Sequence, residues 1–314
     1  MSDIPLQLRD LNIGFIGRGY RRLPIVSDVD LSLRRGQPTA LVGESGCGKS
    51  LLALSILRLL PKNAIVTGSL IYQGQKNLLT LSEEEMNEIR GKQLVFIPQD
   101  PVSHLNPTLN VGYHFKESLG RILGIKGKKA KGLTHDLLDQ VGFQDPKTIC
   151  KRYPHQLSGG MAQRVLLAIG LAGDPDIVIA DEPTRGLDVE SQKRFLEQLQ
   201  DLYRNSALLL ITHQLEAAHK CDWLLVMYGG NIVEEGPSRQ ILKQPQHPYT
   251  RGLLNAHPDK GMHPIPGQPF SFSEVIPGCR FSPRCHQVTD ICRSEQPFPI
   301  TGQDSVIRCH HAGR

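Results

Sequence analysis

The segment GESGCGKS, Gly43 to Ser50, constrains the fold of this chain more than any other part of its sequence. The run before it, TALV, is typical of a short buried strand, and the run after it, LLALSIL, is typical of a helix. The pattern G-x-x-x-x-G-K-[ST] between a strand and a helix is that of a phosphate-binding P-loop. The sequence therefore predicts a nucleotide phosphate site on an α/β fold.

Each residue type in this segment suits the binding of phosphates. We expect the backbone N–H groups from Gly46 to Ser50 to surround the anion, with the helix N-terminus adding its partial positive charge. Lys49 is expected to reach the β- and γ-phosphates, and the Ser50 hydroxyl to bind Mg²⁺. The predicted nucleotide-binding residues here are Gly43, Ser45, Gly46, Cys47, Gly48, Lys49, Ser50 and Leu51.

The remaining patterns predict strands that alternate with helices, which favours a parallel sheet. Period-two alternation, typical of half-buried antiparallel strands, occurs in LQLRDLNIGF and VSDVDLSLRRG. Near-continuous apolar runs, typical of parallel strands covered on both faces, occur in PTALVG, DIVIADEP, ALLLITH and WLLVMYGGNIVEEG, the last with a Gly-Gly-Asn turn. Helical periodicity occurs in SLLALSILRLL, GLTHDLLDQVG and VESQKRFLEQLQDLYR. Residues 100–156 lack a strand pattern and are predicted to form a helical insertion.

Composition excludes some classes of protein. Hydrophobic residues make up 39% and charged residues 21%, and no run approaches the roughly 18 apolar residues of a membrane span. The first residues, MSDIPLQLRD, lack an apolar signal region, so we expect the chain to stay in the cytoplasm. The net charge is +5, and the basic residues are scattered along the chain apart from the run KGKKAKG. This distribution argues against a nucleic-acid surface and fits a membrane surface or a membrane partner.

Two further motifs indicate a known family. IVIADEP is an apolar strand that ends in two acids, of which Asp181 is expected to hold Mg²⁺ and Glu182 to polarise the attacking water. Upstream, HQLSGGMAQR resembles the LSGGQ signature of the ATP-binding-cassette (ABC) ATPases, with Met161 in place of the glutamine. The serine and both glycines of that signature are intact.

The resemblance extends to the other cassette elements, in the order that the family requires. It identifies Gln99 in FIPQDP as the Q-loop glutamine, Asp188 in RGLDVES as the D-loop aspartate and His213 in LLLITHQ as the switch histidine. Tyr20 stands where cassettes place an aromatic that stacks on adenine, with Phe15 as a competitor. Gln214 replaces an aspartate that close relatives carry, so the hydrogen bonding of the switch is expected to differ.

The resemblance implies a P-loop NTPase (ABC ATPase) core over residues 5–250, with an antiparallel β subdomain and a helical subdomain at about 100–156. Two cassettes would face each other, so that Ser158, Gly159 and Gly160 cap the ATP held by the partner. It further implies that hydrolysis uses Glu182, His213 and Gln99. The ligands of Mg²⁺ would be Ser50, Gln99 and Asp181.

The last part of the chain resembles a particular group of cassettes. ILKQPQHPYTRGLLNAHP and IPGCRFSPRC are similar to segments of the ATPase subunits of dipeptide, oligopeptide and nickel permeases, and also to those of antimicrobial-peptide-resistance transporters. The resemblance implies an importer of peptides, with nickel, another small solute or peptide resistance as alternatives. A soluble cassette protein that acts on ribosomes or DNA is a distant alternative.

The same resemblance implies the partners and the location. The chain would pair with a homologous cassette subunit or with itself, dock on two integral-membrane permease subunits and receive solute from an extracytoplasmic solute-binding protein. It would lie peripherally on the cytoplasmic face of the inner membrane.

Four of the seven cysteines, Cys279, Cys285, Cys292 and Cys309, lie in the predicted C-terminal extension, residues 251–314. A cytoplasmic chain seldom keeps disulfides, so such a group favours a metal site. Four thiolates are able to ligate Zn²⁺ or a [4Fe–4S] cluster, and a site without metal stays open as well. The resemblance implies the iron–sulfur cluster. Three histidines are close enough in sequence to substitute as ligands: His286, His310 and His311.

Overall fold

The computed structural model describes residues 3–17, 22–258, 261–274, 276–302 and 304–312. The chain divides into two compact units, one made of Met1–Thr80 and Leu209–Arg314 and the other of Leu81–Leu208. Within the described residues, no helix combines the length and apolar character that a membrane crossing requires.

The first unit contains two sheets. Its strands are β1 (Leu6–Ile16), β2 (Arg22–Leu33), β3 (Thr39–Val42), β4 (Ala64–Tyr72), β5 (Lys76–Asn77), most of β8 (Ala207–Thr212), β9 (Trp223–Tyr228), β10 (Asn231–Pro237), β11 (Ile300–Thr301) and β12 (Val306–Ile307). The antiparallel sheet has the order β2-β1-β4-β5. Alternate side chains of β1 are buried along much of its length, as its period-two pattern predicts.

The other sheet of this unit is mixed. Strand β3 pairs in parallel with both β8 and β9, and all its side chains are buried, which confirms the prediction from its continuous apolar run. Strands β9 and β10 form the predicted antiparallel hairpin around Gly229 and Gly230. Strand β12 pairs with β10, so the C-terminal segment adds a strand to this sheet. The predicted boundary at residue 250 stays a prediction.

The helices of the first unit are short. They are α1 (Lys49–Ile56), α8 (Leu215–His219), α9 (Ser238–Lys243), α10 (Pro248–Asn255) and α11 (Asp290–Ser294). Helix α1 follows β3 directly across the loop that the sequence identifies as the P-loop, which confirms the strand, loop and helix order.

The second unit is mainly helical. Its elements are α2 (Glu83–Ile89), β6 (Leu94–Ile97), α3 (Val111–Ile122), α4 (Gly127–Gln140), α5 (Pro146–Lys151), α6 (Gly159–Leu171), β7 (Ile177–Asp181) and α7 (Val189–Leu202). Strands β6 and β7 are parallel. The helical insertion is confirmed, since residues 100–156, all of them described, contain α3, α4 and α5 and no strand. Five helices of this unit begin at a residue whose side chain accepts a hydrogen bond from the first turn: Ser82, Asn110, Asp145, Ser158 and Asp188.

Some element boundaries differ from the sequence prediction. The apolar period continues to Leu60, but α1 ends at Ile56, because Arg58 has a left-handed φ of +52° and Pro61 follows. Helix α4 begins at Gly127, five residues before the predicted start, since the lysine-rich run joins the helix.

Candidate nucleotide site

The loop that joins β3 to α1 has the backbone geometry of an anion-binding nest. Gly46 and Gly48 have φ values of +78° and +113°, which residues with a Cβ rarely adopt. Such residues turn successive backbone N–H groups toward one concave surface. A Cβ at Gly43 would lie 2.2 Å from the backbone oxygen of Met227 in β9, so only glycine fits at the start of the loop. With the N-terminus of α1 directly behind it, this loop is able to hold a phosphate group.

Lys49 is held against the loop that precedes it. Its side chain is buried, and its Nζ donates hydrogen bonds to the backbone oxygens of Gly43, at 2.8 Å, and Glu44, at 3.0 Å. The ammonium group is therefore already placed at the nest and would exchange these carbonyl contacts for phosphate oxygens. Ser50, the next residue, is exposed, as an Mg²⁺ ligand at the mouth of the site needs to be.

Glu44 is held by two residues from the C-terminal part of the chain. Its backbone N–H donates to the Tyr249 hydroxyl at 2.9 Å. The Arg284 guanidinium donates to both of its carboxylate oxygens, at 2.8 and 3.0 Å. The sequence analysis did not find these two contacts, although Tyr249 and Arg284 lie in the HPYT and SPRC segments that it used only to identify the family.

The switch histidine belongs to the same unit as the loop. Val42 of β3 pairs with Thr212 of β8, so Gly43 and His213 leave the sheet at its same edge. His213 is exposed, and the Gln214 backbone N–H donates to the Thr212 hydroxyl at 3.0 Å. The expected effect of Gln214 on the switch stays a prediction.

In the second unit, the predicted Q-loop and Mg²⁺ residues follow two paired strands. Ile97 of β6 pairs with Ala180 of β7, so Gln99 and Asp181 lie near the carboxyl ends of neighbouring parallel strands. Asp181 is 7% exposed. Glu182 is half-buried and has a φ of +47°, a backbone strain that is common at functional sites.

The signature residues lie at the exposed N-terminus of α6. Ser158 is the N-cap, and its hydroxyl accepts a hydrogen bond from the Met161 backbone N–H at 3.3 Å. Ser158 and Gly159 are exposed, and Gly160 is half-buried. Asp188 caps α7 in the same way through the Ser191 backbone N–H, and hydrogen bonds from the Ser191 side chain and backbone lower the pKa of the Asp188 carboxyl. Tyr20 lies outside the described residues, so its predicted adenine contact stays a prediction.

The four C-terminal cysteines line one small cavity. His247, Phe281, His310 and His311 also line it. Burial raises the pKa of the Cys279 thiol to about 11, and the Cys292 sulfur lies 3.5 Å from Nε2 of His311. Among the described residues, no three His, Cys, Asp or Glu side chains are arranged to hold a single metal ion. The structure therefore brings the predicted cysteines together as free thiols around one space.

Two family models match the chain. The first, "ABC transporter", matches residues 26–185, and the second, "Oligopeptide/dipeptide transporter, C-terminal region", matches residues 233–292. The first covers the loop and the signature helix, and the second covers Tyr249, Arg284 and three of the four cysteines.

Curated relatives match along most of the chain. The dipeptide transport ATP-binding protein DppD of Bacillus subtilis is 40% identical over 97% of this chain and 93% of its own length. The oligopeptide transport ATP-binding protein AppD of the same species is 39% identical over 97% and 95%. OppD, the oligopeptide transport ATP-binding protein of Escherichia coli, is 39% identical over 95% and 90%.

Solved structures share the fold. The dimeric ATP-binding cassette MJ0796, in a post-hydrolysis state with ADP and Pi, superposes with a TM-score of 0.65 at 22% identity, over 74% of this chain and 99% of that one. The cassette cbiO1 of Clostridium perfringens gives 0.62 at 23% identity, over 77% and 92%. These similarities confirm the predicted P-loop NTPase (ABC ATPase) core.

Proposed function

Because the chain belongs to the ABC transporter family as an ATP-binding subunit, it is an ATPase, and we propose that it powers the import of dipeptides and oligopeptides. The observation that carries this proposal is the open phosphate nest at Gly46 and Gly48, on the same chain as a C-terminal region of the oligopeptide and dipeptide transporter type. The nest supplies the binding site for the phosphates of ATP. The C-terminal region supports peptides as the cargo.

In the proposed mechanism, the loop binds the phosphates of ATP through its backbone N–H groups and Lys49. Lys49 gives up its bonds to two loop carbonyls and takes phosphate oxygens in their place. The phosphate oxygens are anionic, so the ion-paired hydrogen bonds that result are stronger than the bonds from the ammonium group to neutral carbonyl oxygens that they replace. The exposed Ser50 and the two strand-end residues Gln99 and Asp181 are the groups that would hold Mg²⁺. Bound there, Mg²⁺ would offset the negative charge that builds on the transferring phosphoryl group.

We assign Glu182 as the group that orients and polarises the attacking water, with His213 as its positioning partner. A carboxylate directly after a buried strand is held in one place by the strand, and the left-handed backbone of Glu182 sets the direction of its side chain. Phosphoryl transfer requires mainly positioning and charge stabilisation, and positioning is the role that we propose for these two residues.

We assign the N-terminus of the signature helix α6 to the binding of a second nucleotide, which is held by another cassette. Ser158 and Gly159 present N–H groups and a helix dipole to solvent, so they are available to the γ-phosphate of ATP on another cassette. We therefore propose that the chain works in a cassette dimer, with a homologous subunit or with itself. Two integral-membrane permease subunits and an extracytoplasmic solute-binding protein complete the importer, and the chain lies on the cytoplasmic face of the membrane.

Uptake assays test the proposed cargo. Cells that lack this gene are supplied with a labelled dipeptide, a labelled longer peptide or chelated nickel, with the intact gene or its Glu182→Gln variant restored. We expect loss of peptide uptake that the intact gene restores and the variant does not. Loss of nickel uptake alone, or normal uptake of all three, would contradict peptide import.

We also propose that the four C-terminal thiols hold a metal centre, a [4Fe–4S] cluster rather than Zn²⁺. This proposal is supported by the donor type, because four thiols are the ligands that such a cluster takes, and Cys279, Cys285, Cys292 and Cys309 line one cavity. Burial raises the pKa of three of these thiols, Cys279, Cys285 and Cys309, and a bound metal would remove their protons. The wide spacing of the cysteines lacks the paired C-x₂₋₄-C pattern of structural zinc sites.

Metal analysis of the full chain, purified without oxygen, tests this site. We expect about four iron and four sulfide per chain and little zinc, as a [4Fe–4S] centre requires. The Cys292→Ser variant should lose the iron, whereas Cys150→Ser, which alters a cysteine outside the cavity, should keep it. One zinc per chain would make the site a zinc site, and an apo protein after cluster reconstitution would contradict any metal.

A further inference from the structure

The phosphate loop contains one carboxylate, and that carboxylate is neutralised from the C-terminal part of the chain. Glu44 is the only acidic residue between Gly43 and Ser50. Its side chain is about a quarter exposed, whereas the side chain of its partner, Arg284, is only 4% exposed. A negative charge so close to a site for a polyphosphate opposes binding unless a cation balances it.

Arg284 is built into its position. Its five guanidinium N–H groups have five hydrogen-bond acceptors: both carboxylate oxygens of Glu44, the Tyr228 hydroxyl, and the backbone oxygens of Ile265 and Pro266. A planar fork paired with both oxygens of a carboxylate is specific in geometry, and lysine does not reproduce it. This fully paired arginine holds the Glu44 side chain in one orientation.

Tyr249 holds the backbone of the same residue. It is fully buried, and its hydroxyl accepts the Glu44 N–H at 2.9 Å. Its ring packs against Tyr228 and Phe281, at centroid distances of 4.6 and 5.5 Å. The contact that reaches the loop therefore comes from a rigid aromatic cluster, and Phe281 of this cluster also lines the cysteine cavity.

We propose that Arg284 and Tyr249 are positioning residues of the ATP site, which set its affinity for nucleotide by neutralising and anchoring Glu44. Arg284 cancels the charge that would repel the phosphates. Tyr249 fixes the backbone of the loop so that the N–H groups from Gly46 onward face the ligand. This proposal rests on the assignment of the loop as the ATP site. In this proposal, Arg284 and Tyr249 act through Glu44 and do not contact ATP themselves.

A double-mutant cycle tests the role of Arg284. The full-length chain, its Arg284→Met variant, Glu44→Gln and the double variant are titrated with Mg²⁺ and a non-hydrolysable ATP analogue. We expect Arg284→Met to weaken binding about tenfold, since the carboxylate is then unpaired. The double variant should recover to within about threefold of the wild type, because no charge is left to neutralise. Recovery of this kind separates charge balance from a general folding defect.

Controls come from the same part of the chain. Arg308 is a half-buried arginine whose side chain is 13% exposed and donates to the Asp28 backbone oxygen. Arg308→Met should leave nucleotide affinity unchanged. Tyr249→Phe removes one hydroxyl from a ring that stays packed, and we expect about threefold weaker binding with the same turnover at saturating ATP.

The outcomes are distinct. Equal weakening in Arg284→Met and in the double variant would mean that Arg284 acts only through folding, and would overturn the proposal. Unchanged affinity in both Arg284→Met and Tyr249→Phe would overturn it as well. If Lys49→Ala does not weaken binding of the analogue, the assignment of the ATP site itself is wrong.

Discussion

Two helix N-termini in this chain are made of serine and glycine for the same kind of ligand, and the chain supports them differently. At the first, Cys47, Gly48 and Lys49 are buried, and the loop is held by hydrogen bonds from the Lys49 side chain and to the distant Tyr249 hydroxyl. At the second, Ser158 and Gly159 are exposed, and the Ser158 hydroxyl accepts a local bond from the Met161 backbone N–H. The difference fits our proposal that the first is a binding site within one chain and that the second contributes half of a site shared with another cassette.

The largest effect on nucleotide binding should come from removing the Lys49 ammonium group at the first terminus, that of α1. Lys49→Ala deletes the positive side-chain charge that the loop offers to phosphate and removes one hydrogen-bond donor from each of two carbonyls. We expect about 100-fold weaker binding of the ATP analogue by the single chain. Ser50→Ala is the milder comparison in the same titration. An affinity loss below about threefold would break the distinction between the two termini.

The exposed terminus should behave in the opposite way. Ser158→Ala removes a hydroxyl that caps α6, so binding by the single chain should change by less than about twofold, while turnover in the assembled transporter falls about tenfold. The measurement pairs analogue titration of the isolated subunit with ATP hydrolysis in the complex. Weak binding of the analogue by the isolated Ser158→Ala subunit would show that this terminus contacts the nucleotide bound by the same chain.

A smaller effect concerns the sheet that supports the first terminus. Burial and the nearby Asp30 raise the pKa of Glu235 in β10 to about 7, against an ordinary value near 4.5. The folded state then holds the proton more tightly, so stability is full below about pH 4.5 and declines as the pH rises through 7. Glu235→Gln should exceed the wild type by about 1 kcal/mol more at pH 8.5 than at pH 5.5 in urea unfolding. An equal difference at both pH values would contradict this.

The smallest effect should come from the residue that departs from the family signature. Met161 contributes its backbone N–H to Ser158, and its sulfur lies 3.8 Å from the Arg152 guanidinium. Met161→Gln keeps that backbone bond, so we expect turnover in the complex to change by less than about threefold. A larger rise in turnover would mean that the glutamine side chain contributes to catalysis at this terminus beyond the contribution of the backbone N–H groups.

Local patterns predicted the fold well where the signal is contiguous. The P-loop, its flanking strand and helix, and the β9–β10 hairpin each occupy a few consecutive residues, and hydrophobic periodicity or turn chemistry marks them. Strand β4 was not singled out, because most of its side chains are half-buried and it lacks a clean alternation. The end of α1 was missed because the apolar period continues past the point where the backbone at Arg58 turns.

The contacts that the sequence did not predict are long-range. Glu44 and Arg284 are 240 residues apart, and the Glu44–Tyr249 bond spans 205 residues. No spacing rule connects a loop glutamate with an arginine in a cysteine-rich segment, because the pairing depends on the packing of Tyr228, Tyr249 and Phe281. The four cysteines were identified as one group because they lie close together along the chain, and the structure shows that they line one cavity, while the predicted metal site stays a prediction.

The same separation along the chain affects the order of events during protein synthesis. Glu44 leaves the ribosome 240 residues before Arg284, a delay of about 10 to 50 s at ordinary rates of translation. Until then, a nascent phosphate loop carries an unpaired carboxylate and lacks the Tyr249 anchor. The nascent chain therefore acquires its full affinity for nucleotide only when its C-terminal segment has been made and has folded.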